Sequence, residues 1–216
     1  MSVPGLTVGR IARVGFAVLD AVALGAAFDA RTGSAGNFFS FFTILSNVLG
    51  IVVLLVGGLR APTGPRWAAL RGAATLYLVI TGIVYAVLLS NQDVGLTEPW
   101  INSVLHRVTP VVVLVDWLLL PPWPRASWRL ALGWLGFPLA YFAYSLLRGP
   151  VVDWYPYPFL DPRETGGYGR VATYAVALAA LMMLLSLAVA WLGQWRATAR
   201  QPSRDPGGDV TTPPAG

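Results

Sequence analysis

The sequence predicts an all-α polytopic membrane protein, a bundle of six transmembrane helices. Three observations carry this. Apolar residues make up 56% of the 216, while charged residues reach only 12%, about half the charged share of a soluble domain. The mean hydropathy is +0.61. The apolar residues also fall in blocks of about twenty, the length that a helix rising about 1.5 Å per residue needs to cross a hydrocarbon core of about 30 Å.

The six blocks lie at about 8–28, 37–58, 68–90, 100–120, 128–147 and 168–191. The first resembles a signal peptide, with Arg10 and Arg13 before an apolar stretch and small residues at Ala26-Ala27. Asp20 interrupts that stretch, and removing the segment would leave five spans, so it reads as a retained first span. A polar turn at 31–36 separates the first and second spans. Pro62 and Pro65 break the chain after the second, because proline lacks an N–H and clashes with the preceding turn. The third span ends at an acidic connection, 91–99, that holds no arginine. Pro121, Pro122 and Pro124 end the fourth. The longest connection, 148–167, carries Trp154, Tyr155, Pro156, Tyr157, Pro158 and Phe159, a composition suited to a loop lying over the bundle at headgroup level. Residues 1–195 read as one transmembrane domain and 196–216, rich in Pro, Gly, Ser and Thr, as a disordered tail.

All fifteen basic residues are arginine, which with the Ala, Val, Leu and Gly excess suggests a GC-rich bacterial genome. With an inside amino terminus, ten arginines fall in inside segments and four in outside ones, so the positive-inside rule predicts both termini cytoplasmic. The net charge of +5 follows from those loops. No basic stripe interleaved with aromatics points to nucleic acid. Absence of cysteine removes disulfides, thiol nucleophiles and Cys-based metal sites. One histidine and scattered carboxylates predict no metal site, and nothing calls for a cofactor. Oligomeric state leaves no mark on the sequence.

Ionisable groups inside a span cost about 2.5 kcal/mol or more at midplane, so Asp20, His106, Arg107 and Asp116 need reasons. Thr43 lies six residues into the second predicted span and His106 six into the fourth, about 9 Å from the same face in both cases. Asp20 is expected at a comparable level, and Asp116 about 15 Å further in. Asn47 shares a helix face with Thr43, and Asn102 with His106, by their four-residue spacing. Two polar faces at one depth can meet in a buried site. There a neutral imidazole can take the proton of a threonine hydroxyl attacking an acyl carbon. Asn47, Asn102 and Arg107 are candidates to orient the histidine or stabilise an oxyanion. Against this stand plainer readings: Thr43 bonding back to the Phe39 carbonyl, His106 as a helix-packing group, Arg107 paired with Asp20 or snorkelling, and Asp116 as purely structural.

Phe41-Phe42-Thr43-Ile44, the segment Asn102-Ser103-Val104-Leu105-His106-Arg107-Val108-Thr109-Pro110, and Trp154-Tyr155-Pro156-Tyr157-Pro158-Phe159-Leu160 resemble, in the same order, motifs of the androgen-induced and androgen-dependent integral membrane hydrolases. The resemblance covers about 37–190 and leaves out the first span. Bacterial relatives with a Phe-Thr-(x)2-Ser-Asn motif look closer, which Thr43, Ile44, Leu45, Ser46 and Asn47 match. It implies a hydrolase of fatty acid esters of hydroxy fatty acids or similar acyl esters, with Thr43 as nucleophile and His106 as its histidine. The expected partners are a lipid substrate and bilayer lipids. The alternatives are a non-enzymatic lipid-binding or transport protein, and a structural subunit whose polar groups only join helices.

Overall fold

A computed structural model describes residues 4–90, 98–120 and 127–199. Every regular element among them is helical. Six stretches are long and apolar enough to cross a membrane: Val8–Asp29, Phe42–Leu59, Pro65–Leu89, Pro99–Leu119, Trp128–Val152 and Tyr168–Trp195. The chain is therefore the predicted all-α multi-pass bundle. Most of the acidic connection at 91–99, the proline break at 121–124 and the tail from residue 200 lie outside the described residues.

The first span is α1 (Pro4–Asp29). A short α2 (Ala35–Phe38), capped by the Ser34 hydroxyl, precedes the second span, α3 (Phe42–Leu59). The third is α4 (Pro65–Val84), continued by a π-helical turn at Tyr85–Leu89. The fourth joins α5 (Pro99–Ser103), a π-helical turn at Val104–Val108 and α6 (Thr109–Leu119). The fifth is α7 (Trp128–Trp134) followed by α8 (Gly136–Val152). A short α9 (Pro162–Thr165) leads to α10 (Tyr168–Ala199), which runs past the expected limit at residue 195.

The third span is the hub, packing against the second, fourth, fifth and sixth. The tightest seam joins α1 to α3. It closes because the last turn of α3 carries Gly57-Gly58: a Cβ on Gly58 would lie 2.7 Å from Val14 Cγ2. Close approach lets Arg10 donate from Nε to the Gly58 carbonyl at 2.7 Å and Arg13 to that of Gly57 at 3.3 Å. These are terminal carbonyls with no partner inside their own helix. Arg13 and Arg71 both pair with Asp116, at 2.6 and 2.9 Å. That triad ties the first, third and fourth spans at the end of the bundle remote from Thr43, and it accounts for Asp116 structurally.

The second span departs from expectation. It starts at Phe42 rather than near Asn37, because the run Phe38-Phe39-Ser40-Phe41-Phe42 breaks the helix. In an unbroken helix Phe38, Phe41 and Phe42 would share one face. The break sends Phe38 and Phe39 to Phe28, Phe41 to Trp154 and Tyr157, and Phe42 to Tyr77, Phe137 and Tyr141.

The fifth span is interrupted at Leu135 instead of continuous, and it reaches Val152. Pro138 has no N–H for the carbonyl of Trp134. The Tyr77 hydroxyl supplies the missing donor at 2.8 Å. Trp134 is held in turn by its indole N–H, which donates to Ala69 at 2.9 Å across Gly72. A Cβ on Gly72 would sit 2.1 Å from the Trp134 ring. Gly72→Ala should therefore destabilise the bundle by about 1–3 kcal/mol, read as a lower melting temperature in detergent. Gly133→Ala, inside α7 with nothing within 4 Å of its Cβ, is the control expected to hold or slightly raise the melting temperature.

Candidate active site

Thr43 is the second residue of α3, in a turn whose N–H groups have no intrahelical partners. Phe41, at the N-cap, offers no side-chain acceptor. Two tyrosines from other elements do this work. The Tyr141 hydroxyl, on α8, accepts the Phe42 N–H at 3.2 Å and donates to the Ser40 carbonyl at 2.8 Å. The Tyr157 hydroxyl, from the loop before α9, accepts the Thr43 N–H at 3.2 Å. The start of this helix is thus built by distant parts of the chain.

The Thr43 hydroxyl lies 3.3 Å from His106 Nε2 and 3.3 Å from the Tyr157 hydroxyl. It is not bonded back to Phe39. Thr43 and His106 are 6% and 5% exposed. His106 Nδ1 lies 3.3 Å from the Asn102 carbonyl. A carbonyl only accepts, so Nδ1 carries the proton and Nε2 is the acceptor. The Thr43 O–H then donates to Nε2, and Oγ1 keeps a lone pair for the Tyr157 O–H. Burial pushes the Tyr157 phenol up, which keeps it a donor at physiological pH.

His106 sits in a π-helical turn that follows from Pro110. That proline cannot donate to the carbonyl four residues back, which is that of His106. The carbonyl turns toward α4, where a Cβ on Gly82 would lie 3.2 Å from it. The second π-helical turn carries Tyr85, whose ring stacks on the imidazole with centroids 4.5 Å apart; the sequence offers no comparable cause for it. π-helical turns are often found at functional sites, and these two face each other across His106.

Three predicted companions have different jobs from those expected. Asn47 donates from Nδ2 to the Thr43 carbonyl at 2.8 Å and the Leu105 carbonyl at 3.3 Å, so its amide joins two spans and is not free for an oxyanion. The Asn102 side chain donates to the Tyr85 hydroxyl at 2.7 Å; its backbone carbonyl is what orients His106. Arg107 is exposed, with its guanidinium 5.7 Å from the Tyr85 ring centre, and it does not pair with Asp20. Asp20 also lies deeper than expected, against Gly50 of α3 rather than level with Thr43. Tyr157 and Tyr85 escaped sequence reasoning. The aromatic segment 154–160 could have pointed to Tyr157; nothing local marks Tyr85.

Two cavities meet at Thr43. One, of about 420 Å³, lies beneath the 31–34 turn and the 154–158 loop, with Arg31, Asn37, Asp161 and Glu164 in its walls. The other, of about 290 Å³, is apolar and lies among the third, fifth and sixth spans, with Ile80, Leu139, Phe142, Val176 and Met182 in its walls. Leu139 and Val176 are exposed on the outside of the bundle. Thr43, Tyr157 and Leu89 border both cavities. The loop is braced by Arg163, which binds Asp161 and Asp153 and holds the Asp161 carboxyl below its ordinary range.

Comparison with models of protein families, with curated proteins and with solved structures gave no match.

Tyr141→Phe leaves both the Phe42 N–H and the buried Ser40 carbonyl without a partner. It should cost about 1–3 kcal/mol, measured as a drop in thermal stability. Tyr144→Phe, which removes only a 2.8 Å contact to the Ser40 hydroxyl from a more exposed ring, should cost less.

Proposed function

We propose that this chain is a threonine-dependent intramembrane esterase acting on lipid acyl esters. The observation that supports it most is the buried Thr43–His106 pair, 3.3 Å apart, at the junction of an apolar and a mixed cavity. His106 Nε2 takes the hydroxyl proton as Thr43 Oγ1 attacks the ester carbonyl. The carbonyl oxygen becomes an oxyanion, for which the Tyr157 O–H is the nearest donor. Collapse breaks the ester bond, and the leaving alcohol takes its proton from His106. Water, deprotonated by the same imidazole, then attacks the acyl-threonine, and the released Thr43 alkoxide recovers the proton as the fatty acid departs. Neutral His106, tautomerically fixed by the Asn102 carbonyl, starts and ends the cycle unchanged.

The hydrocarbon limb of the ester fits the 290 Å³ cavity, reached from the acyl tails past Leu139 and Val176. The polar limb fits the 420 Å³ cavity. The positive-inside rule favours both termini in the cytoplasm, which would set the site beneath the outer face. The motifs around Thr43, His106 and Tyr157 resemble those of hydrolases acting on fatty acid esters of hydroxy fatty acids, which makes these the first substrates to try. The same apolar cavity supports the rival reading of a lipid-binding protein without turnover.

The test is hydrolysis of long-chain acyl esters by the protein purified in detergent. Thr43→Ala should fall to background and His106→Ala by about 10²–10⁴-fold, with melting temperatures near wild type. A fluorophosphonate adduct should map to Thr43. Lipid retention with neither turnover nor adduct, or hydrolysis surviving in either folded variant, would overturn the esterase.

Tyr157→Phe should lower kcat by about 10²-fold with little change in KM. Because burial raises this phenol, its deprotonation should produce no alkaline loss of rate below about pH 10.

A further inference from the structure

One polar cluster lies apart from the Thr43–His106 chemistry. Asp20 on α1 and Ser46 and Asn47 on α3 are each 0% exposed. Both Asp20 oxygens, the Ser46 hydroxyl and Asn47 Oδ1 have no hydrogen-bond partner among the described residues. Asp20 Oδ2 lies 3.8 Å from the Cβ position of Gly50. Ser46 and Asn47 sit one turn earlier on the same side of α3, by their spacing of four and three from Gly50. Thr109 of the fourth span also abuts Gly50, and its hydroxyl makes at most a long, weak hydrogen bond to the Asp20 carboxylate.

A buried carboxylate with no cationic partner points to the guest. Asn47 spends its NH₂ on two carbonyls, which fixes the amide orientation and leaves Oδ1 as a pure acceptor. A carboxylate is likewise acceptor-only. The Ser46 and Thr109 hydroxyls can each donate one proton to these oxygens, but neither brings positive charge to the buried carboxylate. A small cation can satisfy several at once and neutralises the charge. None of the ion pairs among the described residues involves Asp20; Arg13 and Arg71 are committed to Asp116. With one carboxylate and otherwise neutral oxygens, and no cluster of three His, Cys, Asp or Glu among the described residues, the donors suit a hard monovalent ion and not zinc or another transition metal.

We propose that Asp20, Ser46, Asn47 and Thr109 form a buried site for an alkali cation between the first, second and fourth spans. Through Asn47, whose amide also holds the Thr43 and Leu105 carbonyls, the ion would fasten the seam directly below the threonine. The inference does not depend on the esterase reading, and its test reads stability alone.

Purified protein would be melted at pH 8 and constant ionic strength in choline chloride with increasing sodium or potassium chloride. A saturable rise in melting temperature of at least about 3 °C is expected with one of the two alkali ions. Asp20→Asn should abolish that rise, and Ser46→Ala should move its midpoint to higher concentration. Identical melting in sodium, potassium and choline would overturn the proposal, and the wild-type titration decides this even if a variant fails to fold. A cation response that survives Asp20→Asn would overturn it as well.

Discussion

Hydrocarbon offers no hydrogen bonds, so every polar backbone group within it must find its partner inside the protein. The rest of this bundle can be read from where the chain meets that demand with something other than an unbroken helix. Breaking the second span at Phe39–Phe41 brings free N–H groups into the interior, and Tyr141 and Tyr157 come from sequence-distant elements to receive them. Pro138 frees a carbonyl, and Tyr77 takes it. Pro110 frees another, and the fourth span widens into a π-helical turn. The three tyrosines tether distant parts of the chain to the groups they serve, and two of them meet at the candidate site.

The two cavities give this arrangement a chemical direction. An ester linkage has a hydrocarbon side and a more polar side, and the threonine hydroxyl lies on the boundary between surroundings of those two kinds. Tyr157 belongs to the wall of both cavities and to the cap of α3. The group that closes the helix start therefore also lies 3.3 Å from the threonine hydroxyl, as near as the imidazole does. The loop that bears it is braced from its own side by Arg163 bound to Asp153 and Asp161, so its position does not rest on the tyrosine alone.

The spans were legible because twenty apolar residues in a row have few other uses. Thr43 and His106 were legible because polar groups in such runs need a reason. What escaped notice was set by long-range packing. Helical spacing put Asn47 beside Thr43 correctly, but only the neighbouring Leu105 carbonyl decides that its amide is spent as a tether. Asn102 stands in the right place with the wrong atom in use, since its backbone oxygen and not its side chain meets the imidazole. The four phenylalanines of 38–42 read as continuous helix because hydropathy cannot say that their rings have three different destinations. Asp20 was placed too shallow for a related reason: counting residues from the end of a span assumes parallel axes and equal starting levels.

The π-helical turn at Val104–Val108 carries one residue more than an α-helical turn spanning the same length. An α-helix advances about 100° per residue, so that surplus sets the angular position of the imidazole independently of the stripe on α6 that carries Asp116. The fourth span can thus aim two buried polar groups at different neighbours near its two ends, which a regular helix of this length would have to achieve by twisting as a whole. Deleting a single residue there would keep the hydrophobic length almost intact while rotating one half of the span against the other, uncoupling either the histidine from the threonine or the carboxylate from its two arginines.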